Sequence, residues 1–275
     1  MPNQPEFGQA LPEPGVPAIR NVNWGGLRTL YIKEVRRFFK VQLQTVWAPS
    51  VTTLLYLVIF TVALGGGGRS VMGVPFAAFI APGLIMMGML QNAFANASFS
   101  LLSGKLQGTI VDYLMPPLST GELLAGLAGG AVTRAVCVGC AVWLAMALWG
   151  VDVFPRHPLA ILWFGLLGAL FLAFLGLMTS LWAEKFDHAA AVTNFVVAPL
   201  SLLSGTFYSV ESLSPLFRTI SHLNPFFYII SGFRYGFLKE ADSPVLLGGA
   251  ILLALDIVLG LACYLLIKRG WRIKS

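Results

Sequence analysis

Apolar and polar positions along the chain fall into long blocks. Six stretches, at 47–64, 74–101, 124–149, 158–183, 189–207 and 245–267, are apolar enough and long enough as helices to cross about 30 Å of hydrocarbon at ~1.5 Å per residue. The fourth and fifth are separated only by Glu184, Lys185, Phe186, Asp187 and His188, which predicts a tight antiparallel hairpin. Ahead of the first block, Leu27, Tyr31, Val35 and Phe38 recur at three- and four-residue steps, while Lys33, Arg36, Arg37 and Lys40 fall largely elsewhere around the turn. That spacing predicts a basic amphipathic helix over 24–41, suited to lie on an anionic membrane surface as a plain anchor or as a mechanical coupling element.

Two segments between blocks carry patterns of their own. Residues 205–242 read GTFYSVESLSPLFRTISHLNPFFYIISGFRYGFLKEAD, with aromatic residues recurring among a few charges. Pro215 and Pro225 fit the first helical position of two short helices, 215–223 and 225–238, lying at or dipping into a membrane interface. An ordinary aromatic belt capping two spanning helices would give the same composition. Residues 103–121 read SGKLQGTIVDYLMPPLSTG, in which Ile110, Val111, Leu114 and Met115 cluster on one side of a short helix that Pro116 and Pro117 must stop. Such a helix suits either a docking knob for another protein or a solvated linker.

Composition sets the class. Hydrophobic residues make up 57% of the 275 and charged ones 11%, with a mean hydropathy of +0.78, which places the chain among polytopic all-α membrane proteins. The net charge of +6 belongs to orientation and not to nucleic-acid binding, because the basic residues sit at the ends of apolar blocks. Twelve of the 18 Lys and Arg fall on the side of both termini and five on the other, while Arg134 lies within the third block. The positive-inside rule then puts both termini in the cytoplasm, the 103–121 segment inside and the aromatic segment outside. Residues 1–20 hold five prolines and two glutamates, with neither a basic start nor an apolar core, and read as a disordered cytoplasmic tail and not a signal peptide. The expected division is a tail over 1–23, an amphipathic helix over 24–41 and a six-span unit over 42–275.

Little in the chain suggests covalent chemistry. Cys137 and Cys140 form a C-x-x-C inside the third block, where that spacing is one helical face and suits packing. His157, His188 and His222 fall in three different loops on two sides of the membrane, so no metal site is expected. No H-E-x-x-H and no serine–histidine arrangement stands out, and there is no phosphate-binding G-x-x-x-x-G-K-[ST]: Gly104 and Lys105 precede Leu106, and glycines 65–68 lack a lysine. Asp256 is different, being central in the last block with no charge within ten residues. A carboxylate in hydrocarbon costs several kcal/mol unless it is paired, neutral or wet, so Asp256 and Arg134 are candidate functional residues, or partners of each other. As a coupling acid Asp256 would suit an ion-driven secondary transporter, although the two halves show no internal repeat. Gly126, Gly129, Gly130, Gly165 and Gly168 allow close helix packing.

With six spans, QGTIVDYLMPPLS in the second loop and LNPFFYIISGFRYGFL before the last span, the chain resembles the type-2 permeases of ABC exporters over nearly its whole length beyond residue 24. Gly108, Thr109, Leu114, Pro116 and Ser119 match the first family motif, while Lys105 and Gln107 stand where acidic character is common; Asn224, Pro225, Phe233, Arg234 and Tyr235 match the second. The resemblance implies a permease in a bacterial inner membrane, a homodimer beneath which two copies of a separate ATPase subunit dock. ATP and Mg would be bound by that partner, with no cofactor in this chain. The loop around Gly108, Thr109, Ile110, Asp112, Leu114 and Pro116 would couple to the ATPase. The helix bearing Lys33, Arg36, Arg37 and Lys40 would pass the motion on. The helices holding Asn224, Pro225, Phe226, Phe227, Phe233, Arg234 and Tyr235 would form an external gate. Sparse polar residues in the spans favour an amphipathic, lipid-like or lipid-linked cargo, and aromatic stacking faces favour a polysaccharide.

Overall fold

The computed structural model describes residues 22–64, 70–210 and 213–271. The expected disordered tail up to residue 21, glycines 65–68, Arg69, Arg272 and Lys274 lie outside the described residues. The helices are α1 (Trp24–Phe39), α2 (Ala48–Leu64), α3 (Phe76–Leu106), α4 (Val111–Leu114), α5 (Thr120–Leu148), α6 (Pro158–Trp182), α7 (Phe186–Val192), α8 (Ala198–Leu202), α9 (Pro215–Leu223), α10 (Pro225–Leu238) and α11 (Val245–Lys268). A small hairpin of β1 (Ser70–Val71) and β2 (Val74–Pro75) precedes α3, its turn made by Met72 and Gly73, both at positive φ. The chain is an all-α membrane protein.

Among the described residues, five helical stretches are long and apolar enough to span a membrane: Leu43–Ala63, Phe76–Leu106, Thr120–Leu148, Pro158–Trp182 and Val245–Lys268. The segment expected to span at 189–207 forms an uninterrupted helical run from Phe186 to Leu202, made of α7, a π-helical turn at Thr193–Val197 and α8, and it gives way to a turn at Leu203, where the chain heads for Gly205 with φ +76°. A second π-turn, Leu43–Trp47, opens into α2. Each π-turn stops two residues before a proline, Pro49 or Pro199. A proline in a helix lacks its N–H and crowds the carbonyl four residues back, and widening the preceding turn relieves that contact.

α3 is the axis of the bundle. It is buried on most of its circumference, with Phe79, Ile80, Leu84, Leu90, Ala93 and Phe94 fully buried, as befits a helix surrounded by α2, α5, α6 and α10. Its tightest neighbour is α6. At Gly176 a Cβ would lie 2.6 Å from the Phe94 carbonyl oxygen and 3.0 Å from the Ser98 amide nitrogen, both backbone atoms that cannot swing aside. Gly176→Ala is therefore expected to force α3 and α6 apart at a cost of about 1–3 kcal/mol, visible as a lower thermal unfolding midpoint; an unchanged midpoint would contradict this packing.

The glycines of α5 make room for α1, a contact that the periodicity of either helix did not announce. A Cβ on Gly126 would meet Leu30 at 2.6 Å and one on Gly130 would meet Glu34 at 2.6 Å, so α1 lies in a glycine notch of α5. The face α1 turns to the bundle is Leu30, Glu34 and Phe38, rotated from the expected Leu27, Tyr31, Val35 and Phe38 face because the carboxyl of Glu34 is drawn inward. On α6, Gly168 takes Met86 and Ile229, while Gly165 sits against Phe233 and Met89.

Candidate functional site

At the end of the bundle where α1 and α4 meet, the short loops are held by side chains that cap helices. Ser119 caps α5, its hydroxyl accepting from the Glu122 backbone N–H, and the Glu122 carboxylate accepts in turn from the Ser119 backbone N–H at 2.7 Å. The other Glu122 oxygen accepts from the Asn23 amide at 2.5 Å, joining the start of α1 to the start of α5. This S-x-x-E box was readable in the sequence and escaped the reading of it. Lys105 donates to the carbonyls of Ser180, Leu181 and Ala183 at 2.9–3.1 Å, so the cation that departs from the acidic family pattern neutralises the C-terminus of α6.

α4 is a single turn entered through Gly108 at φ +71° and stopped by Pro116 and Pro117. Of the expected apolar cluster, Val111, Leu114 and Met115 are exposed, Met115 by 78%, whereas Ile110 turns inward beside the buried Tyr113. Gly108, Thr109, Asp112 and Pro116 are exposed as well. Burial, and next to it the Glu34 carboxylate, push the Tyr113 phenol above its ordinary pKa. The expected basic face of α1 is divided: Lys33, Arg36 and Lys40 are exposed, with the Lys33 ammonium 3.7 Å from the Tyr113 ring centre, but Arg37 turns inward to Glu34 at 3.0 Å and to Asn96.

A groove of about 720 Å³ runs between α2, α3 and the α7–α8 run. Gln44, Thr52, Thr53, Gln91, Asn92 and Asn194 supply its polar wall; Tyr56, Phe60, Leu84, Met87 and Phe207 supply its apolar one. Its rim on α2 and on the Thr193–Val197 π-turn leaves Val51, Leu55, Ile59 and Phe195 exposed, Phe195 by 81%. Sequence reasoning missed the groove. Its signal was the pairing of amides and hydroxyls inside apolar blocks, Gln91 with Asn92 and Thr193 with Asn194.

At the opposite end the two short helices begin and end where the prolines predicted, yet they occupy different environments. α9 is a surface helix with Leu216, Phe217, Ile220 and Leu223 exposed, the arrangement of an interfacial segment. α10 is core: Phe226, Phe227, Phe233 and Arg234 are buried, and its Gly232 and Gly236 press against Phe164 and Ile161 of α6. The aromatic belt thus applies to α9, while α10 is packed as an inner helix. Asn224 caps α10 through the Phe226 amide at 3.1 Å and donates to the Leu200 carbonyl and Ser204 hydroxyl at 2.9 Å. Tyr235 stacks on His157 at 4.9 Å. Arg234 pairs with Asp242 at 2.7 Å and donates to the Gly205 carbonyl.

The two intramembrane charges do not meet. Arg134 donates to Asn92 at 2.8 Å across to α3, and the alternative in which Arg134 and Asp256 are partners of each other is not formed. Asp256 is buried on α11, and neither carboxyl oxygen finds a hydrogen-bond partner among the described residues. A buried unpartnered carboxyl is a standing cost of several kcal/mol in hydrocarbon. Asp256→Leu is therefore expected to raise the unfolding midpoint, read by thermal denaturation in detergent. A lowered midpoint would show that the carboxyl is satisfied and stabilising.

Comparison with known proteins places this geometry. The model of the ABC-2 type transporter family matches residues 26–238, from α1 through α10. The inner membrane transport permease YadH of Escherichia coli (strain K12) is 37% identical over 253 residues, covering 92% of this chain and 98% of YadH. Nodulation protein J of Rhizobium leguminosarum bv. viciae is 27% identical over 256 residues, covering 89% and 95%, and that of Sinorhizobium fredii (strain NBRC 101917 / NGR234) is 28% identical over 187 residues, covering 67% and 70%.

Proposed function

The chain belongs to the ABC-2 type transporter family, as a multi-pass inner membrane permease subunit of an ABC transporter, and on that premise we propose that it exports an amphipathic, lipid-like or lipid-linked substrate, driven by a separate ATPase. The observation that carries the reading is the mixed lining of the 720 Å³ groove, in which Gln44, Gln91 and Asn194 face the same space as Tyr56, Phe60 and Phe207. A cargo with a polar head and an apolar tail fits such a wall; a highly hydroxylated chain would leave the apolar half unused.

In this reading both termini face the cytoplasm, so α1 lies on the inner leaflet beside the exposed turn of α4 and the ATPase docks there, two copies to a homodimer. Mg and ATP bind on that partner. The second copy of the chain closes the groove along the exposed Val51, Leu55, Ile59 and Phe195, since a groove open along that edge admits lipid from the side. α9 lies on the outer surface of the membrane and α10 forms the inner part of the external gate. Residues 42–275 make the spanning unit, with the tail ahead of α1 outside it.

The test is reconstitution of the chain with its ATPase in vesicles carrying fluorescent short-chain lipids. Two copies of each chain, with ATP-dependent movement of the lipid to the outer leaflet equivalent, support the reading. A chain that forms no such complex and instead moves solute in response to an ion gradient overturns it and turns attention to Asp256.

A further inference from the structure

Three helices that converge at the α1 end share one buried carboxylate. Glu34 of α1 is wholly buried, accepts from the Ser100 hydroxyl of α3 at 2.9 Å and the Tyr113 hydroxyl of α4 at 3.3 Å, and pairs with Arg37 at 3.0 Å. Arg37 carries the connection onward to Asn96, donating to its carbonyl at 3.0 Å and its side-chain oxygen at 3.1 Å. Asn92, Asn96 and Ser100 recur at four-residue steps and so stand on one face of α3. Asn92 both lines the groove and receives Arg134. A chain of polar contacts thus runs from the α4 turn, through Glu34 and Arg37, to Asn96, one turn of α3 away from Asn92 in the wall of the groove.

We infer that Glu34 is a positioning residue of the transport cycle, fixing the α4 turn to α1 and α3 so that a displacement of α4 is delivered to the face of α3 that lines the groove. The inference rests on the permease reading above. An apolar joint at this place could slide, since dispersion contacts have no direction. A buried carboxylate with three partners cannot: moving α4 alone strips the Tyr113 bond and leaves the charge undercompensated, so the three helices move together or the joint breaks. Two discrete arrangements, joined or broken, are what mechanical transmission through a packed protein requires.

The test uses the complex of the full chain with its ATPase in lipid nanodiscs, with Cys137, Cys140 and Cys263 replaced by alanine and Asn194→Cys placed in the groove as a reporter. Maleimide labelling of the reporter is timed with and without ATP, and hydrolysis, complex formation and the unfolding midpoint are measured on the same samples. In the parent, ATP is expected to change the labelling rate at least about fivefold. Glu34→Gln, which keeps the shape, and Tyr113→Phe, which removes only the hydroxyl, are each expected to lower the change in labelling per ATP hydrolysed by at least about fivefold. The double variant should fall no further than either single one, since both break the same joint. Should Glu34→Gln fail to assemble, Tyr113→Phe alone decides. Variants that keep the full change per ATP overturn the inference, as does a proportionate loss of hydrolysis and labelling response, which points to docking. A parent complex without any ATP-dependent change overturns the permease reading instead and takes the inference with it.

Discussion

Arg234→Ala is expected to lower the stability of the chain by about 3–5 kcal/mol, the loss typical of removing one partner from a buried ion pair. Arg234 is fully buried; it pairs with Asp242 at 2.7 Å, reaches the Gly205 carbonyl and lies 4.1 Å over the ring of Phe79. One guanidinium therefore holds α10 to the turn after α8, to α3 and to the segment before α11. Without it the Asp242 carboxylate keeps only Ser209, at 2.6 Å, among the bonds described here, and a charged group stays buried. Thermal unfolding of the purified chain should move down by roughly 10 °C. Arg234→Lys should recover part of this, because an ammonium restores the charge but has no planar fork to reach Gly205 and Asp242 together. Arg234→Leu combined with Asp242→Leu should also be milder than Arg234→Ala, since nothing charged is then left unpaired. A midpoint within a few degrees of the parent for Arg234→Ala would show that the pair contributes little.

The ion pair also shows where sequence reading stopped. Arg234 stood out as part of a family motif, but Asp242 is separated from it by a helix end at Lys239, with φ +63°, and nothing in the spacing announces that the chain doubles back. Local signals were legible throughout. Pro215 and Pro225 set the starts of α9 and α10, and long apolar blocks set α3, α5, α6 and α11, because proline geometry and hydrocarbon thickness act on consecutive residues. What stayed hidden depends on which face each helix turns to its neighbours. Hydrophobicity alone made α1 a surface helix resting on Leu27 and Val35; its true inward face includes Glu34, which the Gly126 and Gly130 notch of α5 admits. The same limit explains why the aromatic segment read as one interfacial element, although α9 is exposed and α10 is core. The Glu34 joint brings together side chains 66 and 79 residues apart, and the groove is lined from three separate stretches of chain, beyond the reach of any periodicity.

Leu114→Asp together with Met115→Asp is expected to weaken ATPase docking by roughly 30-fold or more, the equivalent of about 2 kcal/mol at a central contact. Met115 is 78% exposed and Leu114 40%, on a turn fixed from beneath by Tyr113. An apolar knob on a rigid base at a basic membrane edge gains by burial in a partner's cleft and gains nothing alone. The isolated chain should accordingly unfold within a degree or two of the parent, because exposed substitutions of this kind change stability by only about 0.5 kcal/mol. Pull-down of the ATPase by the variant and titration of its stimulated hydrolysis give the affinity. The contrast with Tyr113 sharpens the reading: Tyr113→Ala should lower stability as well as coupling, since it opens a cavity under α4 and removes a donor from Glu34. If the knob variant binds the ATPase as tightly as the parent, the docking surface lies elsewhere at this end. The exposed basic side of α1, with Arg28, Lys33, Arg36 and Lys40, then becomes the surface to substitute next.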